Sequence, residues 1–166
     1  MADSELYAEL NKRWKSACKL LFGDEVGPLS DYEGWLLSLK QPRGSAVSFL
    51  SGKKLSLASP DYPASAKFIS ADEEMKMPAS PLSINSIKDI GSLIESLRER
   101  FIYSGNLVFG NSKFVAGSSD VSDSFYVYKS ARVSGCKSIA CSTIAKDSNY
   151  LFGCSVASKD EFCMRC

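Results

Sequence analysis

The stretch from Phe109 to Cys166 decides the fold, and it reads FGNSKFVAGSSDVSDSFYVYKSARVSGCKSIACSTIAKDSNYLFGCSVASKDEFCMRC. Every sixth residue is apolar, and a short period held this long indicates stacked repeats. A period of six does not match the 3.6 residues of a helical turn, and Ser, Gly, Val and aromatics favour turns and strands. The pattern predicts a mainly β fold, a β-solenoid (β-helix) with one apolar side chain pointing inward from each strand. The apolar row is Phe109, Val115, Val121, Val127, Val133, Ile139, Ala145, Leu151, Ala157 and Cys163.

A second row lies three residues after the apolar one and is Ser or Cys in nine of ten places. A third row, two residues after the apolar one, has no large apolar side chain and is rich in Gly and Asp, which predicts turns. The second row is Ser112, Ser118, Ser124, Ser130, Cys136, Ser142, Ser148, Cys154, Asp160 and Cys166.

The number of residues per coil follows less directly from the sequence. The clusters Tyr126-Val127-Tyr128 and Tyr150-Leu151-Phe152 lie 24 residues apart, and Ile102-Tyr103 lies 24 before the first. We expect coils of 24 residues, because like residues would then stack on like. Coils of 12 or 18 residues are the alternatives.

Helical patterns flank the repeats. Residues 3–22 carry a stripe of apolar residues at steps of three and four, including Leu6, Trp14 and Leu21, which predicts an amphipathic helix ended by Gly23. A shorter helix is expected over 30–38, with Ser30 as its N-cap. A third is expected over 86–101, with its apolar face packed along the flank of the solenoid.

These elements predict an N-terminal helical cap over residues 1–45 and a solenoid over 46–166 with a helical insertion at about 84–101. The solenoid is expected to begin near residue 46, because Phe49-Leu50-Ser51-Gly52 resembles Ile102-Tyr103-Ser104-Gly105. Residues 46–59 alternate as a half-buried strand does, and Ser51-Gly52-Lys53-Lys54 forms a hairpin or a coil corner.

The composition excludes several functions. The chain has no histidine, which argues against Ser–His–Asp and Cys–His catalysis and removes the commonest general base. Its 20 basic and 19 acidic residues give no basic footprint for nucleic acid or for a membrane surface. No run of about 18 apolar residues is present to span a bilayer. The N-terminus lacks the features of a secretory signal, so we expect a cytoplasmic protein.

Segments such as Val115-Ala116-Gly117-Ser118-Ser119 and Ile139-Ala140-Cys141-Ser142-Thr143 resemble hexapeptide-repeat proteins. Many members of that family are acyltransferases built on a left-handed β-helix, and the resemblance implies a stacked-coil fold. The family's activity generally depends on a histidine base, so it is not expected here. Insect-type ice-binding solenoids resemble this chain in their twelve-residue period, but they need a threonine ladder, and Thr143 is the single threonine after Phe109.

The C-terminal cysteines are the sharpest candidate site. Cys141, Cys154, Cys163 and Cys166 could hold zinc or an iron–sulfur cluster, because the chain ends in a Cys-x-x-Cys pair. The favoured interpretation is buried free thiols and no cofactor, because Cys154 and Cys166 occupy the serine row and Cys163 the apolar row.

The last coil is expected to be open, since the repeat continues without a break to Cys166. Unpaired strand edges bind other strands, so we expect self-association through this coil, most simply as a two-fold dimer, with Phe162, Cys163 and Met164 in the contact. The predicted function is a non-enzymatic structural or protein-interaction module. The alternatives are a metal- or redox-responsive protein that uses the cysteines, and a catalytically incomplete acyltransferase.

Overall fold

The computed structural model describes residues 2–39, 43–78, 81–98 and 100–166. The helices are α1 Ala2–Phe22, α2 Leu29–Leu37, α3 Ala71–Glu74 and α4 Ile90–Arg98, with a 3-10 turn at Ile84–Ser86. The strands are β1 Ser45–Val47, β2 Lys54–Ser56, β3 Lys67–Ser70, β4 Ile102–Gly105, β5 Val108–Phe109, β6 Lys113–Ala116, β7 Ser119–Ser122, β8 Phe125–Tyr128, β9 Ala131–Ser134, β10 Lys137–Ala140, β11 Thr143–Lys146, β12 Asn149–Phe152, β13 Ala157–Ser158 and β14 Glu161–Met164. Among these helices, none combines the length and apolar character needed to cross a membrane.

The C-terminal part is a β-solenoid, as predicted, with two parallel sheets facing each other. Sheet A contains β6, β8, β10, β12 and β14, and sheet B contains β5, β7, β9, β11 and β13. In sheet A, Val127 pairs with Ile139 and Ile139 pairs with Leu151, so each coil contains 12 residues. The expectation of 24 residues per coil is wrong. The aromatic clusters repeat every second coil because the intervening strand β10 carries smaller side chains.

The apolar row points into the solenoid. Val127, Ile139 and Leu151 have no exposed surface and Val133 has 1%. Phe109 departs from the expectation and is exposed, because the register slips at the first coil, where Val108 and not Phe109 pairs with Val121. The buried interior cluster comprises Val121, Val127, Val133, Cys136, Ile139, Ala145, Leu151, Cys154 and Ala157.

The serine row forms hydrogen-bonded ladders inside the coil corners. Ser142 Oγ accepts from the Cys154 N–H at 3.1 Å, one coil further on, and donates to the Ala140 carbonyl at 3.0 Å. Ser118, Ser124, Ser130 and Ser148 make the same two contacts in their own coils. Cys136 takes a serine's place, and its Sγ lies 3.4 Å from the Ser148 nitrogen and 3.1 Å from the Ser134 carbonyl oxygen. Each hydroxyl thus links two successive coils.

From Phe114 to Gly153, two residues in every six adopt left-handed backbone angles. One row follows the predicted turn positions, and includes Gly117, Asp123 and Lys129. The other row lies at the second residue of the strands and includes Tyr126 at φ 58° and Ile144 at φ 56°. Left-handed angles cost an L-residue about 1–2 kcal/mol, so interior burial and the ladders must offset this strain in every coil.

Helix α1 packs across the outer face of sheet A, where it contacts β6, β8, β10 and β12. This corrects the prediction of a cap on the first coils, because the apolar stripe of α1 matches the aromatic outer face of sheet A and not a coil end. The stripe residues Leu6, Leu10, Trp14 and Cys18 are buried there, and the Trp14 ring meets the Phe152 ring edge-on at 5.3 Å.

One side chain sets the position of α1 along the sheet. The outer row of sheet A is Phe114, Tyr126, Ser138, Tyr150 and Phe162, with rings stacked at 4.8 Å in the first pair and 4.6 Å in the last. Ser138 leaves a gap between the two stacks. Arg13 fills it, donating to Ser138 Oγ, with its guanidinium 4.4 Å from the Tyr126 ring centroid.

Helix α2 begins one residue before the expected range, at Leu29, with Pro28 as N-cap and not Ser30. The first amides of α2 are instead bound by α1: Asn11 Oδ1 accepts from the Leu29 N–H and the Tyr7 hydroxyl accepts from the Ser30 N–H. Leu36 packs against Gly153, where an added Cβ would lie 3.1 Å from the Leu36 Cα and where φ is +73°. Glycine is therefore required at that corner.

The segment before the coils differs from the expectation. Strands β1 and β2 form an antiparallel hairpin, so the alternating segment after residue 46 is not a further coil. Strand β3 pairs in parallel with β4. The third predicted helix is α4, and at Ile90–Arg98 it is shorter than expected. In its first turn the Asp89 carboxylate accepts a hydrogen bond from the Ser92 N–H. Ile90 is 77% exposed and Ile94 is 54% exposed. The apolar face of this helix therefore does not pack on the flank of the solenoid, contrary to the prediction.

We expect Ile139→Ala to lower the free energy of unfolding by about 2–5 kcal/mol, because truncating a buried aliphatic leaves a cavity. Lys159→Ala is the matched control in the same solenoid, and it should change stability by less than about 0.5 kcal/mol because Lys159 is exposed. Urea denaturation monitored by circular dichroism measures both. Equal effects would contradict an inward-facing apolar row.

We expect Ser142→Ala to cost about 1–3 kcal/mol, because the buried Cys154 N–H loses its acceptor. Ser142→Cys should cost less, since Cys136 already fills the same position in another coil. Ser158→Ala, at an exposed serine of β13, serves as the control in the same urea experiment. A neutral Ser142→Ala would show that the ladder does not stabilise the fold.

Candidate functional site: the C-terminal coil

The last coil ends both sheets with unpaired strand edges. β14 pairs only with β12, and β13 only with β11, within the residues that the structure describes. In each earlier coil of sheet A, the N–H at the start of the strand donates to the next coil, as Asn149 does to the Asp160 carbonyl at 2.9 Å. The equivalent group of the last coil is the Glu161 N–H, which faces out of the end. Such a row of free backbone groups is a template for pairing with another strand.

The predicted interface residues lie in this coil but do not all face the same way. Phe162 stacks on Tyr150 at 4.6 Å and is half-buried against the helices, as is Met164. Cys163 continues the interior row after Leu151 and is half-buried, since no coil among the described residues covers it. Phe162 and Met164 therefore face the cluster formed with the helices, while Cys163 faces the solenoid interior. Their part in a contact between copies stays a prediction.

The end of α1 extends beyond the last coil. The Trp14–Phe152 contact places residue 14 level with β12, and a helix rises 1.5 Å per residue while strands are about 4.8 Å apart. On a straight path across the strands, residues 17 and 18 would lie level with β14, and residues 20–22 about one strand spacing beyond it. These residues are apolar and uncovered: Leu20 is 64% exposed, Leu21 43% and Phe22 62%.

Helix α2 contributes two more exposed apolar residues beside the same coil. The Arg165 guanidinium lies 4.4 Å from the Trp35 ring centroid, and it donates to Ser38 Oγ at 3.0 Å. Trp35 remains partly exposed, and Leu39 lies just past the end of α2 and is exposed. We call the set Leu20, Leu21, Phe22, Trp35 and Leu39 the end patch.

Sequence reasoning missed the end patch. The helical stripe predicts that Leu21 is buried with Leu6 and Trp14, whereas Leu21 is 43% exposed. A signal was present at Leu20-Leu21-Phe22, because three successive apolar residues cannot all face one side of a helix. A run of this kind directly before the terminating Gly23 indicates apolar surface beyond the packed face.

Of the four candidate metal ligands, Cys141 lies apart from the others, whereas Cys163 packs against the interior cluster that contains Cys154 and lies close to Cys166. Cys141 packs in the cluster between sheet A and the helices, whereas Cys154 lies in the solenoid interior. Burial raises the pKa of Cys154 to about 11 and that of Cys163 above its ordinary value. Cys166 is exposed. Over the described ranges, no three His, Cys, Asp or Glu side chains are grouped as metal ligands.

Comparison with protein-family models, with curated proteins and with solved structures gave no match for this chain.

Thiol accessibility gives a test of this arrangement. We expect iodoacetamide to modify Cys166 first in the native protein, because the thiolate is the reactive form and Cys166 is exposed. Cys18 and Cys154 should react only on unfolding, since burial raises the pKa of each to about 11. Mass spectrometry of timed samples, with and without guanidinium, measures the order. Rapid native labelling of Cys154 would contradict the interior placement.

Proposed function

We propose that this protein is a non-enzymatic interaction module that pairs with a second copy of itself through its C-terminal coil. The observation that carries the proposal is the end patch standing beside two unpaired strand edges. Hydrogen-bonding edges and exposed apolar surface together favour a protein partner, since covering apolar surface is the main driving force of association.

The geometry supports a two-fold arrangement. The overhang of α1 reaches about one strand spacing past β14, so it would lie level with the last strand of a copy joined edge to edge. A two-fold contact places each copy's overhang beside the other's last coil and covers both edges, which stops further growth. Head-to-tail stacking of whole coils is disfavoured, because the β1–β2 hairpin stands beside the first coil at the opposite end and leaves only a cleft there.

The charge distribution of the last coil supports the same partner. Its backbone edge is flanked by Asp160 and Glu161, with Lys159 before them, while Arg165 is held by Trp35 and Ser38. When the β14 strands of two copies pair in antiparallel, residues near the start of β14 in one copy lie opposite residues near the end of β14 in the other. Glu161 of one copy would then approach the Arg165 end of the other.

Sedimentation equilibrium at micromolar concentration tests the proposal. The unmodified chain should have the mass of a dimer, and Leu21→Glu should give a monomer, because it places a charge in the apolar contact without disturbing a buried residue. Ile94→Glu is the matched control, as Ile94 is also an exposed helical aliphatic but lies on α4. A monomeric unmodified chain, or an unchanged dimer in Leu21→Glu, would overturn the proposal.

A further inference from the structure

A second exposed strand edge lies at the opposite end of sheet A, inside a cleft. The cleft has a volume of about 610 Å³ and separates the β1–β2 hairpin from the first coil. Val108 and Val115 form part of its lining, together with Gly117 and Ser118 of the first corner. This volume lies within the range of about 300–1,000 Å³ that is typical of ligand clefts.

The cleft lies against the C-terminal end of β6, the first strand of sheet A, where Val115 and Gly117 line it. One coil further on, the Lys129 N–H donates to the Ala116 carbonyl at 3.0 Å, and the Ser124 carbonyl accepts from the Lys113 N–H at 3.1 Å. The equivalent groups of the first coil are the Gly117 N–H and the Ser112 carbonyl. They point away from β8, toward the side where a preceding strand would lie. In the described part of the chain no strand pairs with this edge.

The hairpin wall of the cleft is held firmly against the coil. Asn106 Oδ1 accepts from the Ser56 N–H at 2.8 Å, and the Asn106 N–H donates to the Ser56 carbonyl at 2.9 Å. Asn106 Nδ2 also donates to the Lys54 carbonyl at 3.3 Å. The same asparagine has φ of 53°, so its backbone turns where the coil begins. The cleft is therefore formed before any partner binds, which reduces the entropic cost of binding.

The charged side chains that line the cleft are cations. Among the described residues, its lining includes three cations, Arg43, Lys54 and Lys129, and no carboxylate. Arg43 donates to the Gly117 and Ser130 carbonyls at 2.6 and 3.4 Å, and burial lowers the pKa of its guanidinium. Lys129 pairs with Glu33 outside the cleft lining. Lys54 projects from the exposed strand β2 and is the cation best placed to meet an incoming carboxylate.

We propose that this cleft binds an acidic peptide segment in extended conformation, as an added strand on the free edge of β6. Main-chain hydrogen bonds to the Gly117 N–H and the Ser112 carbonyl align the segment. Alternate side chains of an extended strand point to opposite faces, so apolar residues contact Val108 and Val115 while acidic residues meet Lys54. Strand addition of this kind takes its affinity from the backbone and its specificity from the side chains.

The probe is a fluorescein-labelled peptide, Ser-Val-Glu-Val-Glu-Val-Ser, titrated into the Leu21→Glu protein so that pairing at the other end does not contribute. Binding should weaken about tenfold in Lys54→Glu, because charge complementarity in the cleft is lost. Lys53→Glu makes the same charge change one residue earlier, outside the lining, and should have little effect. The same peptide with Gln in place of Glu should also bind weakly.

Amide hydrogen exchange identifies the binding mode. The Gly117 amide should exchange more slowly with peptide present, whereas the Lys129 amide, already bonded to Ala116, should not change. Absence of binding at millimolar peptide, equal effects of the two lysine variants, or binding without protection of Gly117 would each overturn the proposal. Full displacement of the peptide by inorganic phosphate would identify a small-anion site and would also overturn it.

Discussion

The hydrogen bond on which this solenoid depends joins a buried serine hydroxyl to the backbone of the next coil. A corner of a narrow solenoid leaves backbone groups that no strand partner reaches, and a buried unpaired amide is costly. The hydroxyl meets this need by accepting from the amide twelve residues on while donating to the carbonyl two residues back. A side chain of this size fits the corner, and of the common residues serine and cysteine satisfy both requirements.

The ladders allow the backbone to adopt an otherwise unfavourable path. Large residues such as Tyr126, Ile144 and Phe162 hold left-handed angles within strands, at a cost of about 1–2 kcal/mol each. On the outer face of sheet A the same angles direct the aromatic side chains into stacks beneath α1. The strain is thereby coupled to packing with the helices, so α1 is part of what stabilises the coils and not an appendage to them.

The sequence predicted the features that each coil repeats and missed those that occur once. The apolar and serine rows recur in every coil, so the burial of residues such as Val127 and Ser142 could be inferred without knowing the path of the chain. The number of residues per coil could not be inferred in this way. A six-residue period describes one side of a coil, and it is the same whether two, three or four sides make up the coil. The position of α1 depends on the hydrogen bond from Arg13 to Ser138, which is 125 residues away in the sequence. No local sequence pattern indicates such a contact. The end patch was missed for the same reason, because its exposure depends on where the last coil stops relative to α1.

The length of helix α1 can be compared with the length of the sheet that it covers. Its 21 residues span about 31 Å at 1.5 Å per residue, whereas the five strands of sheet A span about 19 Å at their usual spacing. One strand added after β14 would lie level with Leu20, Leu21 and Phe22 and would cover this apolar run. A coil inserted between β10 and β12 would separate Ser138 from Phe152, so Arg13 and Trp14, which are adjacent in α1, could no longer make both of their contacts. The helix thus sets the spacing between these two strands.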